Sequence, residues 1–295
     1  MLNVQRAEIL KPENLYTMYA ILESLARDTW ERLRDARALG IRFGEETITD
    51  LLLLELKRLG SGQIRIIQTP KPIEKTSGTD WEWWVRAPGN AGWYRFAIQA
   101  KKLDLKSNRY ERLRHRVGPV LQLDLLKQYA RKHGAVPLYC FFNHIENFDD
   151  TKLQQVWRCC EEKLELQQLA CTVVPLPVIE WVATPRLCKS FSAVHSHRGA
   201  VPWRCLLKCP NFAKEHQQIG ADWDRLNTPH GADSLDFPWK LHANLPPEID
   251  SGEVSLDSYA GKHEDLSNKS YFSPRWVVVF GQDLDEPEKT EGEGR

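Results

Sequence analysis

Residues 80–102, DWEWWVRAPGNAGWYRFAIQAKK, decide the fold that we predict for this chain. Two runs rich in β-forming residues, 80–86 and 93–101, flank the sequence PGNAG. Proline and glycine favour a chain reversal, so the stretch predicts a β-hairpin. With the turn centred near Asn90, Asp80 lies opposite the residues around position 100.

The alternation of side chains along the second run places its polar groups together. Successive side chains of a strand point to opposite faces, so Gln99 and Lys101 share one face, while Ile98 and Ala100 share the other. The predicted register brings the Asp80 carboxylate to the face of Gln99 and Lys101, and a slip of one residue would separate them. A carboxylate, an amide and an ammonium group at one point indicate a functional site.

The segments around the hairpin predict an αβββαβ order. We expect a helix at 44–59, ended by Gly60, then a short strand at 63–68 and the two strands of the hairpin. A helix at 119–133 and a wholly apolar strand at 136–142 follow. The first three strands should form an antiparallel meander, and the second helix should return the last strand to the same sheet.

This pattern divides the chain into four segments. We predict a helical N-terminal segment over 1–42 and an α/β core, a mixed sheet flanked by helices, over 43–148. A C-terminal α+β extension over 149–282 should pack on the core and include a closing strand at 273–280. The acidic residues 283–295 have no apolar anchor, so we expect a disordered tail.

Composition and charge narrow the classes of protein that the chain can represent. Its 295 residues are 42% hydrophobic, which is enough for a sizeable core. Lys plus Arg and Asp plus Glu number 40 each, so the net charge is zero and gives no sign of a nucleic-acid partner. Only local clusters of charge can indicate one. We expect a cytoplasmic protein without membrane association, because the sequence has neither a long apolar run nor a secretory signal pattern. Seven irregularly spaced cysteines fit reduced thiols.

Charged residues also cluster on both sides of the predicted hairpin. The first turn of the 44–59 helix carries Glu45 and Glu46, which either complement the helix dipole or face the sheet. The segment 101–116 contains seven Lys or Arg and is either a solvated face or a phosphate-binding surface. Its candidate nucleic-acid-binding residues are Lys102, Lys106, Arg109, Arg112, Arg114 and Arg116.

A helix acid, an Asp opening the second strand and a Gln-x-Lys on the third resemble the PD-(D/E)xK nuclease superfamily. The tripeptide Gln99-Ala100-Lys101 is most similar to its Mrr-like restriction endonuclease branch. The resemblance covers residues 43–142 and implies a restriction-endonuclease-like core with the αβββαβ order. Two departures stand out, since Thr79 replaces the usual Pro and Gln99 replaces the usual acid.

The resemblance implies a nuclease site that binds Mg²⁺ or Mn²⁺. Asp80 would be the central metal ligand. The Gln99 side-chain oxygen, the Ala100 backbone carbonyl and Glu46 would complete a partial shell of oxygens. Lys101 would orient the attacking water or stabilise the transition state. The implied catalytic residues are Glu46, Asp80, Gln99 and Lys101.

Three more residues are candidates for this site, each with an alternative role. Glu82, two residues along the same strand face, is either a second acid of the metal site or the cross-strand partner of Arg95. Glu45 is the alternative to Glu46 as the helix acid. Gln122 either faces the site from the next helix, as a helix residue does in Mrr-like proteins, or lies on an exposed helix face.

The resemblance implies a Mg²⁺-dependent endodeoxyribonuclease acting on double-stranded DNA, in restriction or anti-phage defence. A homodimer, or a higher assembly with a defence-system partner, would let two sites cut both strands. The alternative is a catalytically degenerate protein of the same fold that binds nucleic acid or serves as an assembly subunit. Because folds do not determine functions, the site residues have to decide between these functions.

Overall fold

The computed structural model describes residues 18–60, 63–68, 79–87, 92–146, 148, 151, 154–155, 165–184, 189–196, 200–208, 240–250 and 275–281. The predicted disordered tail, 283–295, lies outside the described residues, as do residues 1–17 of the N-terminal segment. The described strands, in chain order, are β1 (Ile64–Gln68), β2 (Trp81–Arg86), β3 (Trp93–Lys102), β4 (Arg116–Val117), β5 (Val120–Leu121), β6 (Val136–Phe142), β7 (Cys171–Pro175), β8 (Val201–Pro202) and β9 (Trp276–Phe280).

The described helices fit the predicted order around the hairpin. None of them combines the length and the apolar character that crossing a bilayer requires. They are α1 (Met18–Ala38), α2 (Glu45–Leu59), α3 (Gln122–His133), α4 (Leu176–Val182), α5 (Phe191–His195), α6 (Cys205–Lys208) and α7 (Pro247–Asp250), with a 3₁₀ helix at Leu166–Ala170.

A seven-stranded mixed sheet with the order β1-β9-β2-β3-β6-β7-β8 forms the centre of the α/β fold. The predicted hairpin is confirmed, because β2 and β3 pair antiparallel from Trp81 opposite Ile98 to Arg86 opposite Trp93. The predicted crossover is confirmed as well, since β6 follows α3 and pairs parallel with β3. Helix α3 ends at Gly134, whose φ of 61° is a conformation that glycine adopts readily.

The predicted meander of the first three strands is wrong. Strand β9 lies between β1 and β2, antiparallel to β1 and parallel to β2. Its sequence WVVVF is apolar on both faces, which suits an interior position, whereas β1 is partly exposed, which suits the edge. The predicted C-terminal extension, 149–282, therefore contributes β7, β8 and β9 to the same sheet and does not merely pack on a separate core.

The two faces of the sheet are covered by different elements. On one face, Trp83 contacts Trp203, and the Trp203 indole N–H donates to the Leu22 carbonyl of α1 at 2.9 Å. On the other face, the Tyr129 side chain of α3 reaches the middle of the sheet. The far end of that face contains an apolar cluster with Trp84, and the near end contains the site described below. The cysteines of the described part, Cys140, Cys171 and Cys205, are buried and free.

Candidate functional site

The site begins where β3 extends past the first residue of β2. Strand β2 starts opposite Ile98, whereas β3 continues to Lys102, so the later N–H groups on that edge have no partner in β2. Asp80 Oδ2 accepts the Ala100 N–H at 2.7 Å, and Glu45 Oε2 accepts the Lys102 N–H at 2.8 Å. Residues two apart on a strand are separated by about 7 Å, so these two carboxylates lie about that far apart along one edge.

The Gln99 amide lies against Asp80, as the predicted register requires. Its Nε2 donates to Asp80 Oδ2 and, at 3.2 Å, to the Ala100 carbonyl oxygen. The residue is only 2% exposed, and its buried Oε1 has no hydrogen-bond partner within the described part of the chain. Buried polar atoms normally have partners, so this oxygen marks a place where a further group can bind.

Lys101 projects from the same face of β3 as Gln99. It is 6% exposed, and within the described ranges its ammonium group makes no ion pair. Its side chain is largely enclosed by the protein and lines the cleft described below, and clefts with a few convergent polar groups are the usual places for functional sites. Lys101 is therefore a stronger functional candidate than the exposed lysines of the chain.

A cleft of about 220 Å³ opens over these groups. The structure brings the four implied catalytic residues to its wall, together with both alternatives from the neighbouring helices and one arginine of the basic segment. These residues are Glu46, Asp80, Gln99, Lys101, Glu45, Gln122 and Arg112.

The two helix acids lie at different depths in the cleft. Glu45 reaches the sheet through its bond to the Lys102 N–H. The Glu46 side chain is 84% exposed, and its nearest cation is Arg275, at 3.9 Å. The helix acid that contacts β3 is thus Glu45, the alternative that the sequence left open.

Glu82 belongs to a different cluster and does not line the cleft. Its carboxylate is fully buried and accepts the Trp84 indole N–H at 2.7 Å and the Tyr129 hydroxyl at 2.6 Å. The Arg95 guanidinium completes the set at 2.8 Å, so Glu82 is the cross-strand partner of Arg95. Burial and the adjacent Glu82 carboxylate raise the pKa of Tyr129 well above its ordinary value, which keeps the phenol protonated and able to donate.

The basic segment is divided between the cleft and the open surface. Arg112 lines the cleft, and Lys102 is half-buried, which lowers its pKa. Asp104 accepts the backbone N–H groups of Lys106 and Ser107 and so forms a turn in the middle of the segment. The candidates that are exposed outside the cleft are Lys106, Arg109, Arg114 and Arg116.

Tyr139, on the adjacent strand β6, lies next to the site. It pairs with Gln99 across β3 and β6, and its hydroxyl is buried without a hydrogen-bond partner in the described residues. Burial raises the pKa of Tyr139, and the negative charge of Asp80 raises it further.

Arg275 is a charged cleft residue that sequence reasoning missed. It precedes β9 and is the neighbour of Asp80 in the parallel pair, because Trp276 pairs with Trp81. Its place could be inferred only by knowing that β9 inserts beside β2. The available signal was a charged residue directly before an apolar strand, which many proteins contain.

The donor atoms in the cleft suit a hard cation better than a soft one. They are carboxylate oxygens of Asp80 and Glu45, the Gln99 oxygen and the Gln122 Oε1, which is also buried and without a partner in the described part. Mg²⁺ prefers such oxygens together with retained waters. The described residues contain no group of three or more His, Cys, Asp or Glu side chains arranged to hold a metal ion. Binding would therefore depend on amide and backbone oxygens as well as on carboxylates.

Comparison with known proteins assigns the chain to a family whose function is unknown. None of the curated proteins compared with the chain matches it. A family model described as a family of unknown function, DUF6615, matches residues 18–280, the stretch that begins with α1 and ends with β9. The chain belongs to this family, DUF6615.

Proposed function

We propose that this chain is a metal-dependent nuclease that hydrolyses phosphodiester bonds of double-stranded DNA, with a restriction-endonuclease-like core of the PD-(D/E)xK type. One observation carries the proposal. The buried Lys101, which has no ion pair in the described ranges, lies in one cleft with Asp80 and with the unpartnered Gln99 oxygen. A cation at Asp80 and the Gln99 oxygen, and a phosphate at Lys101, would complete this set of polar groups.

The residues present fit a Mg²⁺ or Mn²⁺ ion. Asp80, the Gln99 side-chain oxygen and the Ala100 carbonyl would hold it, with Glu45 or Glu46 reached directly or through water. Half a turn of the Gln99 amide exchanges its N and O atoms, so the oxygen can take the position between Asp80 and the Ala100 carbonyl without movement of β3. A bound ion would neutralise charge on the phosphate oxygens and lower the pKa of its water.

The chain's own residues supply orientation and charge. The Lys101 ammonium group orients the attacking water and stabilises the negative charge that develops on the phosphate. Its burial strengthens this effect, because charges interact more strongly away from water. Arg112 at the cleft and the exposed cations of the basic segment would hold the DNA backbone.

A second candidate function is supported by two observations. A neutral Gln99 replaces the usual acid, and the described part of the chain has no cluster of three metal-binding His, Cys, Asp or Glu side chains. Both fit a catalytically degenerate member of the same fold that binds nucleic acid or serves as an assembly subunit. A role in restriction or anti-phage defence in the cytoplasm, as a homodimer or with a defence-system partner, rests on the same resemblance.

Plasmid cleavage by the purified chain separates the two functions. We expect nicking or linearisation with Mg²⁺ or Mn²⁺, none with EDTA, and its loss in Asp80→Asn and Lys101→Met. The matched controls are Asp35→Asn and Lys57→Met, which change exposed residues of α1 and α2 and should cleave like the wild type. Binding without cleavage would favour the second function. Undiminished cleavage by both site variants would remove the site assignment.

A further inference from the structure

Arg275 faces the cleft directly before β9, a strand that the sequence predicts but whose position beside β2 it does not. The Trp276 N–H donates to the Asp80 carbonyl at 3.2 Å, and Trp276 pairs with Trp81 in parallel register. Arg275 and Asp80 are therefore neighbours on adjacent strands, and neighbouring residues of a sheet point to the same face. Arg275 consequently lines the cleft beside the central carboxylate of the proposed site.

The guanidinium of Arg275 is only loosely engaged. Its nearest carboxylates are Asp50, at 3.6 Å, and Glu46, at 3.9 Å, both longer than the 2.7–2.9 Å or so of a charge-assisted hydrogen bond. The side chain is only 18% exposed, and its Nε is buried without a hydrogen-bond partner in the described ranges. A mostly buried arginine that hydrogen-bonds neither carboxylate lacks the planar anion that its N–H groups are suited to bind.

The surroundings identify the class of that anion. Lys101 and Arg112 line the same cleft as Arg275, so three cations share this space. The carboxylates of Asp80 and Glu45 already accept backbone N–H groups of β3. We propose that Arg275 binds a backbone phosphate of the nucleic-acid strand beside Asp80, through a bidentate contact that replaces its long ion pairs to Glu46 and Asp50. The identity of the polyanion as nucleic acid rests on the proposed function.

This contact makes the C-terminal part of the chain a component of the site. Strand β9 places Arg275 on one side of Asp80, while β3 places Gln99 and Lys101 on the other. A phosphate between them contacts residues from β3, in the predicted hairpin, and from the start of β9, near the end of the described chain. Glu46 and Asp50 keep the guanidinium near the cleft when no phosphate is present, and they compete with the phosphate for it.

Binding of a fluorescently labelled DNA duplex to the full chain in EDTA tests this inference separately from cleavage. Arg275→Gln should lower the affinity about tenfold and reduce the slope of log affinity against log salt by about one, the value for one lost phosphate contact. Arg275→Lys retains the charge and should keep the wild-type slope, with weaker cleavage because lysine cannot bind bidentately. Arg58→Gln, an exposed arginine at the other end of α2, is the control and should match the wild type.

Asp50→Asn provides the second variant. It removes a competitor of the phosphate and should tighten binding several-fold, whereas an arginine that merely anchors α2 would give unchanged or weaker binding. If Arg275→Gln is unfolded in a thermal melt, Asp50→Asn alone decides.

The outcomes separate this inference from the proposed nuclease. A wild-type salt slope in Arg275→Gln, or a wild type that binds no DNA, overturns the phosphate contact. If the slope falls but the wild type cleaves nothing with Mg²⁺, the contact stands and the nuclease proposal fails.

Discussion

Two carboxylates, Asp80 directly before β2 and Glu82 within it, point to the same face of the sheet but have different surroundings. Glu82 is fully buried and its carboxylate accepts hydrogen bonds from Trp84, Arg95 and Tyr129. Asp80, two residues earlier, lies in an open cleft beside Gln99, whose Oε1 has no partner in the described residues. A single Asp-x-Glu sequence at the start of β2 thus carries a structural carboxylate and a candidate catalytic one.

The two carboxylates are of similar type and both accept hydrogen bonds, but Glu82 is enclosed by its donors, whereas Asp80 opens onto a cleft. A carboxylate surrounded by donors stabilises one conformation of the protein. A carboxylate next to unpartnered polar atoms leaves room for a ligand. Substitutions at each end of this strand should therefore affect different measurements.

Asp80→Asn should have the largest effect, and on activity alone. We expect cleavage to fall on the order of 10³-fold, because a metal contributes several kcal/mol to transition-state stabilisation. The free energy of unfolding should change by less than about 1 kcal/mol, since an Asn oxygen can still accept the Ala100 N–H. Initial cleavage rates and urea unfolding test both statements, and a strongly destabilised Asp80→Asn would contradict the contrast with Glu82.

Glu82→Gln should have the next largest effect, on stability. The change leaves the buried Arg95 charge without its carboxylate, which costs about 3–5 kcal/mol. Urea unfolding measures the loss. The double variant Glu82→Gln/Arg95→Met is the control, and it should be less destabilised than the sum of the two single changes. Additive losses would show that the pair does not act as a unit.

The hairpin and its polar face could be predicted because they depend on local sequence. Turn residues set the reflection, and alternation then places Gln99 and Lys101 on the face of Asp80. Neither step needs information from distant parts of the chain. The crossover from β3 to β6 through α3 follows a rule that is equally local.

The remaining features depend on contacts between distant segments. The insertion of β9 beside β2, and with it the position of Arg275, follows from which apolar strand best fills the centre of the sheet. The choice between Glu45 and Glu46 depends on how α2 is rotated against β3, because consecutive helix residues point about 100° apart. The burial of Glu82 requires the Tyr129 hydroxyl from α3.

Tyr129→Phe should destabilise the protein less than Glu82→Gln does. It removes one hydroxyl that donates to Glu82 at 2.6 Å and accepts from Arg95 at 3.0 Å, while the ion pair remains. Hydrogen bonds to charged groups are worth about 1.5–3 kcal/mol. Urea unfolding should show a loss in this range, with cleavage retained at temperatures where the variant is folded. A loss as large as that of Glu82→Gln would mean that the hydroxyl, and not the ion pair, dominates this cluster.

Gln99→Glu tests the Asp80 side of the comparison, where a metal ligand is proposed. A second acid beside Asp80 adds one negative charge, so the metal concentration for half-maximal cleavage should fall about tenfold, equivalent to about 1.4 kcal/mol. In EDTA the paired carboxylates repel each other, so the melting temperature should drop and recover when Mg²⁺ is added. Glu82→Asp is the control for an altered acid on the same face. A metal requirement identical to that of the wild type would argue against Gln99 as a ligand.

The pH dependence of stability should show the smallest effect, at the end of the sheet that contains Arg95. Burial lowers the pKa of His133 from 6.5 to about 4, and the positive charge of Arg95 acts in the same direction. Lys132 and His242 also lower it, whereas the Glu82 carboxylate opposes the shift. Between pH 4 and 6.5 the unfolded state binds more protons at this residue than the folded state, so its contribution to stability is complete above pH 6.5 and decreases as the pH falls towards 4. Urea unfolding across this range should give a shallower pH dependence for His133→Gln than for the wild type. An unchanged slope would mean that His133 has the same pKa in the folded and unfolded states, so that neither burial nor the Arg95 charge lowers it.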